Sequence, residues 1–376
     1  MNELASRTPC LLLDAHRMER NISRLKDRLN PHRVLLRPHL KTAKNLEIAH
    51  LLMPTPAGPA TVSTLHEAEA FAAGGVRDML YAVGIAPGKL ERVVELRRRG
   101  VDLAIVLDSL AQAEAVVAAG RKRHERIPVL VEIDSDGHRS GVRPGDPALI
   151  EIGRHLVEGG AELRGIMTHA GGSYNHPGAE AMTVAAEEER SAAVRCAEAL
   201  RGAGLPCPVV SVGSTPTAHF ARDLSGVTEV RVGVFVFFDL VMAGLDVCAI
   251  DDIALSVVTT VIGHQRSKGW ILVDAGWMAM SRDRGTARQR IDQGYGVVCD
   301  LDGKPYPDLL MTSTSQEHGI LSMREGSRAA VPELPVGTLV RVLPNHACAT
   351  AAQHAHYEVA RDGKVVDRWE RISPGW

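Results

Sequence analysis

The chain has 376 residues, of which 45% are hydrophobic and 23% charged, and its 43 Lys+Arg nearly balance 45 Asp+Glu for a net charge of −2. That composition is globular, excludes a disordered chain, and leaves no basic footprint for nucleic acid or an anionic membrane surface. Apolar runs such as residues 232–238 fall far short of the ~18 needed to span a bilayer, and the N-terminus turns charged after three leucines, without the apolar core of a signal peptide. Six scattered cysteines (Cys10, Cys196, Cys207, Cys248, Cys299, Cys348) form no CxxC pair. A cytoplasmic chain with reduced thiols is therefore expected.

In chain order, short β-like runs fall at residues 34–37, 61–63, 79–82, 103–107, 129–133, 163–168, 209–212 and 228–232. Between them lie Ala- and Leu-rich segments with 3.6-residue periodicity, for example 108–119 and 179–203. Eight β/α units in about 200 residues is the arithmetic of a (β/α)8 TIM-type barrel, with a doubly wound open sheet as the competitor. After about residue 250 the texture changes. Runs at 254–262, 270–274, 340–343 and 356–359 read as strands joined by turns, punctuated by Gly303, Pro305, Pro307 and Pro332. The reading is an α/β barrel over residues 14–248 and a C-terminal β domain over 249–376, with an N-terminal strand from residues 1–13 carried by the run at 10–13.

Functional groups of such barrels sit where strands end and β-to-α loops begin. The first such end reads RPHLKTAK (37–44) and places Lys41 directly after a strand, where burial can make an amine nucleophile. The second, EIDSDGHRSG (132–141), runs an apolar strand into a polar, glycine-containing loop with Arg139. The third, MTHAGGSY (167–174), brings Thr168, His169 and Tyr174 together. The fourth and fifth, SVGSTPT (211–217) and RVGVF (231–235), offer Gly213, Ser214, Thr215 and Gly233 as a phosphate cradle at the last two strands. In the β domain, PNHACAT (344–350) sets His346 and Cys348 two apart, on one side if the backbone is extended. Imidazole plus thiolate suits Zn²⁺, and two protein ligands leave positions open, as a catalytic metal needs. QEHG (316–319) adds His318 as an acid/base candidate.

Taken together, these segments resemble the D-threonine aldolase and D-serine dehydratase family, pyridoxal-phosphate enzymes with an alanine-racemase-like barrel. The likeness is carried by TPCLLLD (8–14), RPHLKT (37–42), EIDSDGHRSGV (132–142), QEHG (316–319) and PNHAC (344–348). GSTPTA (213–218), VDAGWMAMSRDRGT (273–286) and NHACAT (345–350) look like the D-threo-3-hydroxyaspartate dehydratase branch. The resemblance implies that Lys41 is the Schiff-base lysine and that Arg139 lies near the pyridine nitrogen. It further implies that His39, Thr168, His169 and Tyr174 line the ring and that Gly213, Ser214, Thr215 and Gly233 bind the phosphate. His346 and Cys348 match its metal pair, with Zn²⁺ expected and Mn²⁺, Co²⁺ or Mg²⁺ as alternatives.

The expected activity is elimination of water from a D-3-hydroxy amino acid, D-threo-3-hydroxyaspartate to oxaloacetate and ammonia ahead of D-serine. Arg282 and Arg284 are the candidates for the second carboxylate, unless both are solvated loop residues paired with Asp283. Retro-aldol cleavage by an aldolase, with His318 or His169 as base, is the alternative reaction. A non-catalytic pyridoxal-phosphate-binding protein is the alternative of another class. A small-molecule amino-acid substrate and a homodimer complete the expectation, with no nucleic-acid or membrane partner.

Overall fold

The computed structural model describes residues 2–175 and 178–376, and divides into two compact units: Arg24–Gly233 with Pro374–Trp376, and Met1–Ser23 with Val234–Ser373. Among the described residues no helix is long and apolar enough to cross a membrane.

The first unit is a parallel barrel. After β1 (Cys10–Asp14), which belongs to the other unit, its strands are β2 (Leu35–Pro38), β3 (Ala60–Val62), β4 (Asp78–Gly84) and β5 (Asp102–Leu107). They continue as β6 (Pro128–Ile133), β7 (Glu162–Thr168), β8 (Val209–Val212) and β9 (Glu229–Val232). The eight sequence-predicted strands are these, within one to two residues at most ends, and the order β2-β9-β8-β7-β6-β5-β4-β3 is that of a β/α barrel. Its last seam is short. Between β2 and β3 only the bridge His39↔Thr61 is formed, so the barrel is nearly closed just where the candidate lysine follows. Helices such as Leu110–Arg123, N-capped by the Ser109 hydroxyl, and Ala179–Gly202 cover the outside.

Register explains an unusual interior. Leu80 pairs Ala104, Val106 pairs Leu130, Glu132 pairs Met167, Met167 pairs Ser211, and Ser211 pairs Glu229. Paired residues in a parallel sheet share a face, as do residues two apart along a strand. One face of the barrel wall therefore carries the packed cluster Leu80, Ala104, Val106, Leu130 and Met167 on β4–β7, and Arg37, Ser211, Glu229 and Arg231 on β2, β8 and β9. The polar half is fully connected. Arg37 Nε donates to Glu229 at 2.8 Å and its Nη1 to Asp78 at 2.7 Å, while the Ser211 hydroxyl donates to Glu229 at 2.6 Å. Arg231 Nη1 and Nη2 donate to Ser211 Oγ at 2.7 Å and the Thr168 carbonyl at 2.6 Å.

The second unit is antiparallel apart from one pairing. It contains β1, β10 (Leu255–Gln265), β11 (Trp270–Val273), β12 (Gly296–Cys299), β13 (Pro305–Thr314) and β14 (Gly319–Met323). β15 (Leu339–Pro344), β16 (His356–Arg361) and β17 (Lys364–Glu370) complete it. The pairings β10–β11–β14–β13–β12–β15–β10 close on themselves, and β1, β16 and β17 extend from β10. β1 joins as the sequence suggested, antiparallel to β10 and parallel to β16, burying Cys10 and Leu12 with Leu4, Val258 and Ala360. Two expectations need correction. β12, β13, β14 and β17 were not anticipated, because Pro305 and Pro307 sit at the start of β13 and the residues of β17 are mostly exposed. The run at 270–274 is followed not by a plain turn but by the short helix Trp277–Met280.

Replacing Glu229 by Ala leaves the Arg37 guanidinium in the barrel wall without its buried carboxylate. A loss of about 3–5 kcal/mol is expected, read as a lower denaturation midpoint of the barrel, with Glu229→Gln less affected.

Candidate active site

In the barrel, His39 N–H donates to the Val232 carbonyl at 2.7 Å and Leu40 N–H to that of Thr61 at 2.9 Å. These two bonds tie the segment after β2 to both neighbouring strands. Lys41 follows at once and is exposed. The turn closes with Lys44 N–H on the Leu40 carbonyl at 2.8 Å, and Lys44 holds a left-handed φ of 46°. Its ammonium is pinned 3.0 Å from the buried Glu67 carboxylate, so of the two lysines here only Lys41 is left without a carboxylate among the described residues.

Around this lysine, His39 Nδ1 and Thr61 Oγ1 are buried atoms that no protein group satisfies. Burial, with Lys41, Arg231 and His169 nearby, holds His39 well below its ordinary pKa. Thr168, at the end of β7, is buried and donates to Ser135 at 2.8 Å. His169 Nδ1 lies 2.9 Å from the Gly213 carbonyl; that bond makes Nδ1 the protonated nitrogen and leaves Nε2 a free lone pair. Tyr174 is half-buried in the 3-10 turn Gly171–Asn175. Arg139 is mostly exposed and lies 3.3 Å from the buried Glu132.

The two glycines of the cradle are dictated by crowding. Gly213 has φ +142°, and a Cβ there would lie 2.2 Å from the Arg231 carbonyl. At Gly233 a Cβ would meet Thr42 Oγ1 at 2.8 Å and the His39 carbonyl at 3.0 Å. Ser214 spends its hydroxyl within the protein, on Thr217 Oγ1 at 3.0 Å and Ser173 Oγ at 3.1 Å, as the N-cap of the short helix Thr215–Phe220. Among the described residues no protein side chain engages the Thr215 hydroxyl. A lysine at the mouth, unsatisfied buried donors beside it and two backbone turns pared to glycine fit an aldehyde cofactor with an anionic tail.

In the other unit, His346 and Cys348 do lie within hydrogen-bond reach, but for a different reason from the one expected. They are not on an extended strand. His346 is the N-cap, and Cys348 the second residue, of the helix Ala347–Ala351 that follows β15. The turn is held from several sides. Asp283 Oδ2 lies 2.7 Å from His346 Nδ1, which fixes the orientation of the imidazole. The buried Asp239 accepts the Ala347 amide at 2.9 Å, and the buried Asn345 takes the Thr286 hydroxyl at 2.8 Å and donates to the Gly294 carbonyl at 2.7 Å. A carboxylate on the far nitrogen of an imidazole is the usual support of a metal-bound histidine. Burial opposes charge on His346, but Asp283, Cys348 and Asp239 override it and raise its pKa well above the ordinary value. Imidazole and thiolate together form a donor pair suited to zinc, with coordination positions left for other ligands.

His318 is exposed in the loop between β13 and β14. The loop is nonetheless anchored to the same segment as the metal turn: Trp277 and Met278 N–H donate to the Ser315 and Gln316 carbonyls, and the Thr350 hydroxyl donates to that of Met280. Arg282 stacks over Trp277 at 4.2 Å, and Arg284 over Tyr295 at 4.9 Å. Arg284 pairs with Asp292 at 2.7 Å. Asp283, first considered as their partner, is instead the support of His346, and its pairing with this histidine lowers its pKa. Glu132, Asp239 and Asp283 were thus missed as partners of the singled-out residues. Glu132 and Asp283 carried a signal, since each lies in a segment already singled out, at 132–142 and 273–286.

A parallel barrel with a lysine at its mouth, joined in one chain to an antiparallel unit that carries a His-x-Cys turn, is the architecture of fold-type III pyridoxal-phosphate enzymes. The model for the alanine racemase N-terminal domain matches residues 13–241, and that for a serine dehydratase domain matches residues 254–360. The chain belongs to the alanine racemase-like family, in the branch that carries the serine dehydratase domain, and it is a lyase. It is 55% identical over 373 residues to the D-threo-3-hydroxyaspartate dehydratase of Delftia sp. (strain HT23), covering 98% of both chains. The solved structure of that enzyme superposes with a TM-score of 0.95 at 54% identity over 98% of each chain. A cysteine-to-alanine variant of it is described as metal-free, so that enzyme binds a metal. The D-serine dehydratase of Dictyostelium discoideum is 27% identical over 96% of both chains. The D-threonine aldolase of Filomicrobium marinum superposes with a TM-score of 0.81 at 26% identity, over 97% of this chain and 94% of that one. Pyridoxal phosphate is the cofactor expected of this family.

Burial lowers the pKa of His169 to about 4, with the Gly213 carbonyl opposing and the charges of Lys41, Arg139 and Arg231 adding to the effect. An unfolded histidine titrates near ~6.5. Between about 4 and ~6.5 the unfolded chain thus binds a proton that the folded chain refuses, so this group removes stability as pH falls through that window. NMR titration should show His169 neutral and Nδ1-protonated down to about pH 5.5; a midpoint near its ordinary value would contradict the assignment.

Proposed function

We propose that the chain removes water from D-threo-3-hydroxyaspartate, giving oxaloacetate and ammonia. The observation that carries this reading is the 55% identity to a dehydratase of that name over 98% of both chains. The supporting chemistry is local. Lys41 Nζ would hold pyridoxal phosphate through its aldehyde carbon and would serve as the base for the Cα proton. His39, Thr168, His169 and Tyr174 would line the ring, Gly213, Ser214, Thr215 and Gly233 its phosphate, and Arg139 the pyridine nitrogen. An arginine cannot give up its proton at neutral pH and so leaves that nitrogen unprotonated. When bound, the cofactor withdraws electrons from Cα, less strongly than it would opposite an acid.

That weakness assigns a task to the second donor set. His346 Nε2 and Cys348 Sγ would hold a divalent cation, which we take to be Zn²⁺ on the match of imidazole and thiolate, with Mn²⁺, Co²⁺ or Mg²⁺ as alternatives. When bound, the metal supplies Lewis acidity to the departing β-hydroxyl. The histidine and cysteine variants of the Delftia enzyme concern residues of the same types, and one is described as metal-free. Asp283 orients His346 and Asp239 fixes the backbone between the two ligands. His318 is retained as an acid/base residue. Arg282 is the better partner for the β-carboxylate, since Arg284 is already paired with Asp292. We further place the chain in the cytoplasm, on cysteines that form no disulfide among the described residues, and as a homodimer.

Assay of the purified protein on D-3-hydroxy amino acids should release keto acid from hydroxyaspartate. Glycine plus an aldehyde or glyoxylate would make the chain an aldolase. Lys41→Ala should abolish both turnover and the cofactor absorbance, and Arg282→Ala should lower kcat/KM on hydroxyaspartate by about tenfold more than on D-serine. Equal losses on both substrates would remove Arg282 from substrate recognition.

Asp283→Ala should weaken metal affinity by about 10–100-fold, measured by competition with a chelating dye, while cofactor absorbance stays intact. Unchanged metal affinity would show that the Asp283 contact does not support a ligand.

A further inference from the structure

Two loops read as lining the cofactor converge on one buried carboxylate. Glu189 lies on the covering helix Ala179–Gly202 and is 3% exposed. Its Oε1 accepts the Ala170 amide at 3.0 Å, directly after His169, and the Gly213 amide, also at 3.0 Å. Its Oε2 accepts the Thr217 hydroxyl at 2.7 Å. That same hydroxyl oxygen takes the Ser214 amide at 3.1 Å, so the carboxylate reaches the 214–217 turn through one side chain. The Gly213 peptide is gripped at both ends, its carbonyl by His169 Nδ1 at 2.9 Å. Ser173 adds a cross-link, donating to the Ala170 carbonyl at 2.7 Å and lying 3.1 Å from Ser214 Oγ.

Burying a carboxylate inside a helix–sheet interface is costly, and an apolar residue would fill the space without that penalty. What the carboxylate adds is three acceptor bonds to three donors on two different strand ends and one turn. Burial drives its pKa up, while the bonds from Thr217, Ala170 and Gly213 and the charge of Arg231 oppose this. None of these bonds reaches into the barrel mouth, so Glu189 acts only through the backbone it fixes.

We propose that Glu189 is a positioning residue for the phosphate of the cofactor: it fixes Gly213 and the 214–217 turn so that the cradle ending in Thr215 is formed before the phosphate arrives. This rests on the reading of residues 213–215 as the phosphate end. Preorganisation of this kind raises affinity by removing an ordering cost at binding.

The test compares pyridoxal phosphate with pyridoxal on the full-length apoprotein. Both carry the aldehyde that meets Lys41, and only one carries the phosphate. Wild type should bind pyridoxal phosphate much more tightly. In Glu189→Ala that preference should shrink by about tenfold or more, the equivalent of one buried donor left unsatisfied, with pyridoxal affinity unchanged. Glu189→Gln should keep the preference, because its carbonyl can accept both amides while its NH₂ donates to Thr217. If Glu189→Ala does not fold, Thr217→Val removes one of the three bonds without opening a hole and should lower the preference, while Thr217→Ser should restore it. An unchanged preference in Glu189→Ala or Thr217→Val, or a loss in Glu189→Gln as large as in Glu189→Ala, overturns the role of Glu189. A wild type that does not distinguish the two aldehydes overturns the cradle itself.

Discussion

The Arg37–Glu229 pair is the constraint on which the barrel depends. Most barrels of this type fill their interior with layers of branched apolar side chains. Here the face shared by β2, β8 and β9 carries charge, and a charge inside a wall of strands is tolerable only if every lone pair and proton finds a partner. Glu229 meets that condition by accepting from Arg37 on one side and Ser211 on the other. Arg231 extends the chain to the Thr168 carbonyl, at the strand end where His169 begins. Burial keeps His39 and His169 neutral, and the same guanidinium adds to that effect together with Lys41, so the network that stabilises the wall also bears on the protonation of the imidazoles above it.

Both units use one physical device to aim their chemistry. A carboxylate with little or no exposure accepts backbone amides from the loop that carries the functional side chains. Glu189 does this for the ends of β7 and β8, and Asp239 for the turn between His346 and Cys348. Loops are ordinarily the most mobile part of a barrel or sheet. Anchoring their amides to an acceptor on a packed element gives them the rigidity of that element, as a preformed site requires. Asp283 applies the same logic to a side chain, holding His346 through the nitrogen a metal would not use.

The eight barrel strands were legible because buried parallel strands read as short apolar runs between helical segments, and burial on both faces leaves little else they could be. The antiparallel unit was half legible. β10, β11, β15 and β16 carry dense apolar runs, whereas β13 opens on two prolines and β17 is polar and exposed, so neither has the period that betrays a strand. The residues tied to cofactor chemistry were visible as short motifs at strand ends. Their supports were not: Glu189 sits mid-helix among other glutamates, and Asp239 among phenylalanines and leucines, with nothing local to mark either.

By itself, then, the sequence determined the alternation of strands and helices, the lysine after the first barrel strand and the His-x-Cys element, since each is written in neighbouring residues. Only the tertiary structure decided which lysine is left without a carboxylate, that His346 and Cys348 meet at a helix start and not along a strand, and that Asp283 serves His346 instead of the arginines beside it. Those outcomes depend on pairings between residues tens to hundreds of positions apart, such as Asp283 with His346 or Asp239 with Ala347, and a hydrogen bond acts over about 3 Å whatever the separation along the chain.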